Sequence, residues 1–123
     1  MVSARHLVLV DDDPHVLNAL RFSFETEGYE VRTFARGEDL LEDPPTDPGT
    51  CLVIDERLPG LSGLDTVARL RARGISMPAV LITTHPTESM VRRAATAGIG
   101  IVEKPLIGDA LATTVRAMLG PSS

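Results

Sequence analysis

The chain has no tryptophan, one tyrosine, three phenylalanines and one cysteine in its 123 residues. A lone thiol, Cys51, closes no internal disulfide, which excludes a disulfide-framed scaffold and fits a reducing cytoplasm. Long apolar runs are missing. Leu7–Val10 is representative and far too short to cross a bilayer. No basic segment followed by an apolar stretch opens the chain, so no signal peptide is expected. Positive charge is also scarce. Twelve basic residues face seventeen acidic ones, and the net charge of −5 argues against unaided nucleic-acid binding. Lysine is nearly absent: Lys104 stands alone among eleven arginines. What remains is 43% hydrophobic and 24% charged, which excludes fibrous and disordered classes. The length suits one domain with its own core.

The apolar residues fall into short runs that stop abruptly. Leu7–Val10 ends at Asp11, Cys51–Ile54 at Asp55, Ala79–Ile82 at Thr83, and Gly100–Val102 at Glu103 and Lys104. Such runs read as strands buried on both faces. Tyr29–Phe34 alternates like a further strand. Between them lie helical patterns. One begins at Pro14 with Asp13 as its N-cap and ends at Gly28. The others span Glu38–Glu42, Leu64–Arg73, Glu88–Ala97 and Ile107–Leu119. Pro44–Gly49 and Arg57–Gly63 are Pro/Gly loops. Residues 1–120 form one expected domain, with 121–123 as a frayed tail. Five strands alternating with five helices predict an α/β fold: a doubly wound, five-stranded parallel sheet with helices on both faces.

Ligands of such folds sit beyond the carboxyl ends of the strands, at a topological switch point. Here those ends carry Asp11 and Asp12, Asp55, Thr83 and Lys104. Clustered carboxylates repel unless a cation joins them. An all-oxygen set with few protein ligands suits Mg²⁺. With Asp13 used as a cap, Asp11 and Asp12 are the pair left for metal. The set resembles phosphoryl-transfer equipment: an aspartate nucleophile, a hydroxyl, and a compact ammonium where an arginine fork would differ in shape. Asp55 is the expected nucleophile because it stands alone at its strand end. A structural ion pair is the plainer reading of Lys104 taken by itself.

Four motifs, LVLVDDDP (7–14), LVIDERLPGLSGLD (52–65), PAVLITT (78–84) and IVEKP (101–105), resemble the receiver domain of bacterial two-component response regulators. RLPGLSG, the EKP ending and His85 are most similar to regulators that carry a helix-turn-helix output domain. The resemblance implies the flavodoxin-like strand order 2-1-3-4-5. It implies that Asp55 accepts phosphate from a sensor-kinase histidine or phosphotransfer protein. Asp12, Asp55 and the Arg57 backbone carbonyl would ligate Mg²⁺, with Asp11 acting through a water. Thr83 and Lys104 would bind the phosphoryl oxygens, and the Lys104–Pro105 bond would be cis. It further implies a cytoplasmic regulator rather than an enzyme with a separate substrate. Its expected partners are the kinase, a downstream protein or fused output domain, and a second copy after phosphorylation, with no direct nucleic-acid or membrane contact. Two positions depart from the family. Ile101 stands where an aromatic is usual, and Leu106 where phenylalanine is common. Both bear on output, which is then expected to rest on the loop Thr84–Thr87 and the helix after it.

A second class of reading is a haloacid-dehalogenase-type phosphohydrolase, since Asp11-x-Asp13 has that acid spacing. His15, the poor later acid pair at Gly108-Asp109, and the short chain weigh against it. His6 and His15 are expected to be exposed, and His85 either borders the site or is plain surface. Arg92 and Arg93 read as a solvated helix face, and Arg71 and Arg73 as complements to a helix C-terminus. Cys51 reads as a buried hydrophobe. Gly60 and Gly63 read as glycines that permit a tight loop.

Overall fold

The computed structural model describes residues 5–106 and 108–120. Its elements alternate as β1 (Arg5–Val10), α1 (Pro14–Thr26), β2 (Tyr29–Phe34), α2 (Gly37–Glu42), β3 (Thr50–Asp55), α3 (Gly63–Ala72), β4 (Ala79–Thr83), α4 (Glu88–Ala97), β5 (Gly100–Glu103) and α5 (Ala110–Leu119). The strands form one parallel sheet in the order β2-β1-β3-β4-β5. The expected tail at 121–123 and the start of the last helical pattern at Ile107 lie outside the described residues. Among the described residues, no helix is long and apolar enough to cross a membrane.

The abrupt apolar runs are explained by burial on two sides. Val8, Val10, Leu52, Ile54 and Leu81 face a layer that includes Leu40, Leu64, Val67, Leu70 and Ala94 from α2, α3 and α4. Their alternates Leu7, Leu9, Cys51, Val53, Val80 and Ile82 face Phe24, Leu111 and Val115 from α1 and α5. With both faces covered, neither parity of the strand can be polar. Burial also pushes the Cys51 thiol up to about 12, so it stays a neutral core group.

Helix starts follow local chemistry. Asp13 Oδ1 accepts from the His15 N–H at 2.9 Å, with Pro14 in the first helical position. Ser62 and Thr87 cap α3 and α4 in the same manner. The last helix begins at Ala110, later than expected, after Gly108 at φ +69°. Lys104–Pro105 is cis.

Some long-range contacts differ from the sequence expectations. His6 is half-buried, with Nδ1 3.3 Å from Glu30 and 3.8 Å from Asp47. Arg71 and Arg73 do serve helix ends, but those of neighbours: Arg71 donates to the Ala97 carbonyl closing α4, and Arg73 to the Leu41 carbonyl in α2 at 2.6 Å. Arg93 pairs with Asp65 across the α3–α4 seam at 3.1 Å.

Leu81 is fully buried in the central sheet. Leu81→Ala should lower unfolding free energy by about 2–5 kcal/mol in urea titration. An unchanged midpoint would mean that this layer repacks without a cavity.

Candidate functional site

The chain leaves β1 for β2 on one side and returns to β3 on the other, so the switch point lies between β1 and β3. Val10 is in register with Ile54, which brings Asp11 level with Asp55. Asp55 pairs with Ile82, and Thr83 with Glu103, so Thr83 and Lys104 follow as the next steps along the same edge.

Carboxylate oxygens of Asp11, Asp12 and Asp55 all lie within 4.8 Å of one another. Asp11 and Asp55 are buried and Asp12 is exposed. Asp11 Oδ1 accepts from the Asp13 N–H at 2.9 Å. Its Oδ2 is buried without a hydrogen bond, 3.8 Å from the Lys104 ammonium. Asp55 is better held. Its Oδ2 accepts from Lys104 Nζ at 2.9 Å and its Oδ1 from the Arg57 N–H at 3.2 Å.

The electrostatics match this arrangement. Burial raises the Asp11 carboxyl above its ordinary value, and the Asp55 charge adds to that against the Asp13 N–H. Burial opposes the Lys104 charge, but the hydrogen bond to Asp55 and the charges of Asp55, Asp11 and Asp12 outweigh it and raise the ammonium's pKa.

Asp11, Asp12, Asp55 and Lys104 are thus brought together as the sequence predicts. Thr83 is buried at the same edge, but its hydroxyl is directed to Met90 Sδ of α4 at 3.9 Å. Arg57 reaches the cluster through its backbone N–H, while its side chain is exposed, as are those of His15 and His85.

Gly63 differs from its expected role. A Cβ there would lie 2.6 Å from the Asp55 carbonyl, so close approach rather than turn geometry excludes a side chain. Gly60, at φ +78°, is the turn glycine.

Two neighbours escaped the sequence reading. Glu56 Oε1 accepts from the Leu64 N–H at 2.9 Å, and burial raises its carboxyl. Glu38 Oε2 accepts from the Leu61 N–H at 3.2 Å. Glu56 follows the predicted nucleophile directly and so had a local signal. Glu38 is 23 residues from its partner and had none.

A family model described as the response regulator receiver domain matches residues 7–116. The transcriptional regulatory protein FixJ of Azorhizobium caulinodans is 35% identical over 117 residues, covering 94% of this chain and 55% of that protein. Nodulation protein W of Bradyrhizobium diazoefficiens is 36% identical over 110 residues, covering 89% and 48%. The chain therefore spans about half the length of these curated relatives. Among solved structures, response regulator StyR superposes with a TM-score of 0.87 at 34% identity, over 95% of this chain and 60% of that one. The chemotaxis protein CheY4 of Vibrio cholerae gives 0.85 at 21% identity over 94% and 99%, a likeness of fold alone. The phosphohydrolase alternative is not supported. Asp13, its second acid, is an exposed helix cap.

Like charges crowd Asp11, and its Oδ2 lacks a hydrogen bond. Asp11→Asn keeps an acceptor for the Asp13 N–H and removes the repulsion. In metal-free buffer it should raise the urea midpoint above that of the native chain. A lower midpoint would show that attraction to Lys104 outweighs repulsion at this position.

Proposed function

The chain belongs to the response regulator receiver domain family, and we propose that it takes a phosphoryl group onto Asp55 from a sensor-kinase histidine or a phosphotransfer protein, with Mg²⁺ as cofactor. The observation that carries this reading is the Asp55 carboxylate at the end of the central strand. One of its oxygens is bound to Lys104, and carboxylate oxygens of Asp11 and Asp12 lie within 4.8 Å.

The residues fit a hard divalent cation. The donor set is all oxygen, and the buried Asp11 Oδ2 has no hydrogen bond, with the Lys104 ammonium 3.8 Å away as its nearest cation. Asp12, Asp55 and the Arg57 carbonyl would hold Mg²⁺ directly, and Asp11 through a water. Bound there, the ion supplies positive charge against the phosphoryl oxygens.

The chain's own residues do the rest. An Asp55 oxygen forms the new P–O bond as the donor's P–N bond to histidine breaks, leaving the electron pair on the imidazole. Lys104 stays within reach of the transferred group, whose charge of about −2 replaces part of the carboxylate field that holds the ammonium. The Thr83 hydroxyl exchanges its weak sulfur contact for a phosphoryl oxygen. That exchange frees Met90 and with it the start of α4, so the readout surface centres on α4 and its preceding loop. Ile101, half-buried in the same layer as Met90, acts there as packing. We read residues 1–120 as one cytoplasmic receiver that passes its state to a downstream protein or fused output domain.

Incubation with Mg²⁺ and acetyl phosphate should add one phosphoryl group by intact mass, and Asp55→Asn should abolish it. Full labelling of that variant would overturn the assignment. Lys104→Arg keeps the charge but not the compact shape. It should be labelled, yet lose the phosphorylation-dependent amide shift changes across α4. Native-like changes in this variant would show that charge alone is sufficient.

A further inference from the structure

The loop at residues 56–62 carries the Arg57 carbonyl and joins Asp55 to α3. It is held from within by Glu56. The Glu56 N–H donates to Ile82 O at 2.9 Å, its carbonyl accepts from the Gly63 N–H at 3.1 Å, and its side chain accepts from the Leu64 N–H. At its ends the loop is tied to its flanking elements, the Arg57 N–H to Asp55 Oδ1 of β3 and Ser62 to the first turn of α3. Between them, among the described residues, the one hydrogen bond that reaches positions 58–61 from another element is the Leu61 N–H to Glu38 Oε2 in the first turn of α2.

Local packing supports this contact. Glu38 Oε1 is covered and has no hydrogen-bond partner, although the side chain as a whole is 40% exposed, so this one oxygen is turned against the protein. A Cβ on Gly60 would collide with the Glu38 carboxylate, lying 2.9 Å from its Cδ, so the loop offers a bare α-carbon where the acid rests. Gly37 in turn lets α2 close onto the Thr66 side chain of α3, which fixes the helix that Glu38 projects from. Arg36 at 3.7 Å supports the charge. The Glu38 backbone N–H also holds its carboxyl below the usual range.

We propose that Glu38 is a positioning residue for phosphoryl transfer: by gripping Leu61 and seating against Gly60, it sets the loop so that the Arg57 carbonyl faces the cation. This rests on the reading of Asp55 and Mg²⁺ given above. Removing the grip leaves the acids in place but lets the carbonyl wander. The first loss is therefore cation affinity, not the nucleophile.

The test uses three variants of the full chain. Glu38→Gln keeps the length and an acceptor oxygen. Glu38→Asp keeps the charge but falls short of Leu61. Glu38→Ala removes both. Mg²⁺ is titrated into each unphosphorylated protein and followed by amide shifts, and Leu61 amide exchange is measured without metal. Glu38→Asp and Glu38→Ala should raise the half-saturating Mg²⁺ concentration by about tenfold, the lower end of the loss when an outer partner of a metal ligand goes. Both should also speed Leu61 exchange. Glu38→Gln should match the native chain in both measurements. Native half-saturation in Glu38→Asp with fast Leu61 exchange overturns the proposal, because the grip would then be structural only. A tenfold loss in Glu38→Gln also overturns it, because charge rather than the hydrogen bond would be responsible. Absence of any Mg²⁺ response in the native chain overturns the underlying reading, and the proposal with it.

Discussion

Three carboxylates within 4.8 Å of one another are an unfavourable arrangement that the fold imposes and then manages. Asp11 and Asp55 cannot move apart, because each continues a strand whose residues are buried on both faces and locked in register. Relief must come from groups brought to them. Lys104 is the main one, bonded to Asp55 at 2.9 Å and near Asp11 at 3.8 Å, and backbone N–H groups of Asp13 and Arg57 supply the remainder. The relief is incomplete, as Asp11 Oδ2, buried and without a hydrogen bond, shows. Residual negative tension of this kind suits a cation, and in the proposed function that cation would let the site accept an anionic phosphoryl group. Stability withheld at the strand ends is what gives the site its chemistry.

Much of this was legible in the sequence for a specific reason. A strand buried on two faces has no polar parity, so the end of Leu7–Val10 or Cys51–Ile54 is marked by its first charged residue. In a parallel sheet those ends lie on one edge, and a list of terminating residues becomes a site. Asp13 could be set aside because Pro14 fixes the helix start, and its side chain does cap α1. Contacts between distant elements left no such mark. His6 lies half-buried beside Glu30 and Asp47 because β1 pairs with β2 and the loop before β3 folds back, neither of which a local pattern encodes. Arg71 and Arg73 complement helix ends as their composition suggests, but which ends, those of α4 and α2, no local pattern encodes. Gly63 resembles a turn glycine in the chain RLPGLSG and is instead a close-approach glycine against Asp55.

The same distinction separates the two ways the loop after β3 is held. Glu56 works within its own segment, so its role follows from being next to Asp55. Glu38 belongs to an edge helix of six residues, too short to be stable alone, and is significant only because Gly37 and Thr66 dock that helix on α3. The family's site residues are chemically obvious. The supports that aim them are ordinary acids and glycines, visible only once the elements are assembled.

Thr83 shows how such a site can convey its state outward. Its hydroxyl is buried and directed to the Met90 sulfur, an acceptor much weaker than an anionic oxygen. A phosphoryl group on Asp55 would outcompete that sulfur, so the direction of exchange is set by acceptor strength. Met90 packs in the layer that also holds Ala94, Ala97, Ile99 and Ile101, which joins the start of α4 to β5. An aromatic ring at position 101 could sweep a large volume between two rotamers, whereas isoleucine is stiff at its first torsion and cannot. The flexible thioether of Met90, with three rotatable bonds and in contact with the Thr83 hydroxyl, is a side chain able to take up the change. In the proposed function the mobile element would therefore sit on α4 and the fixed one on β5, the reverse of an arrangement built on an aromatic switch.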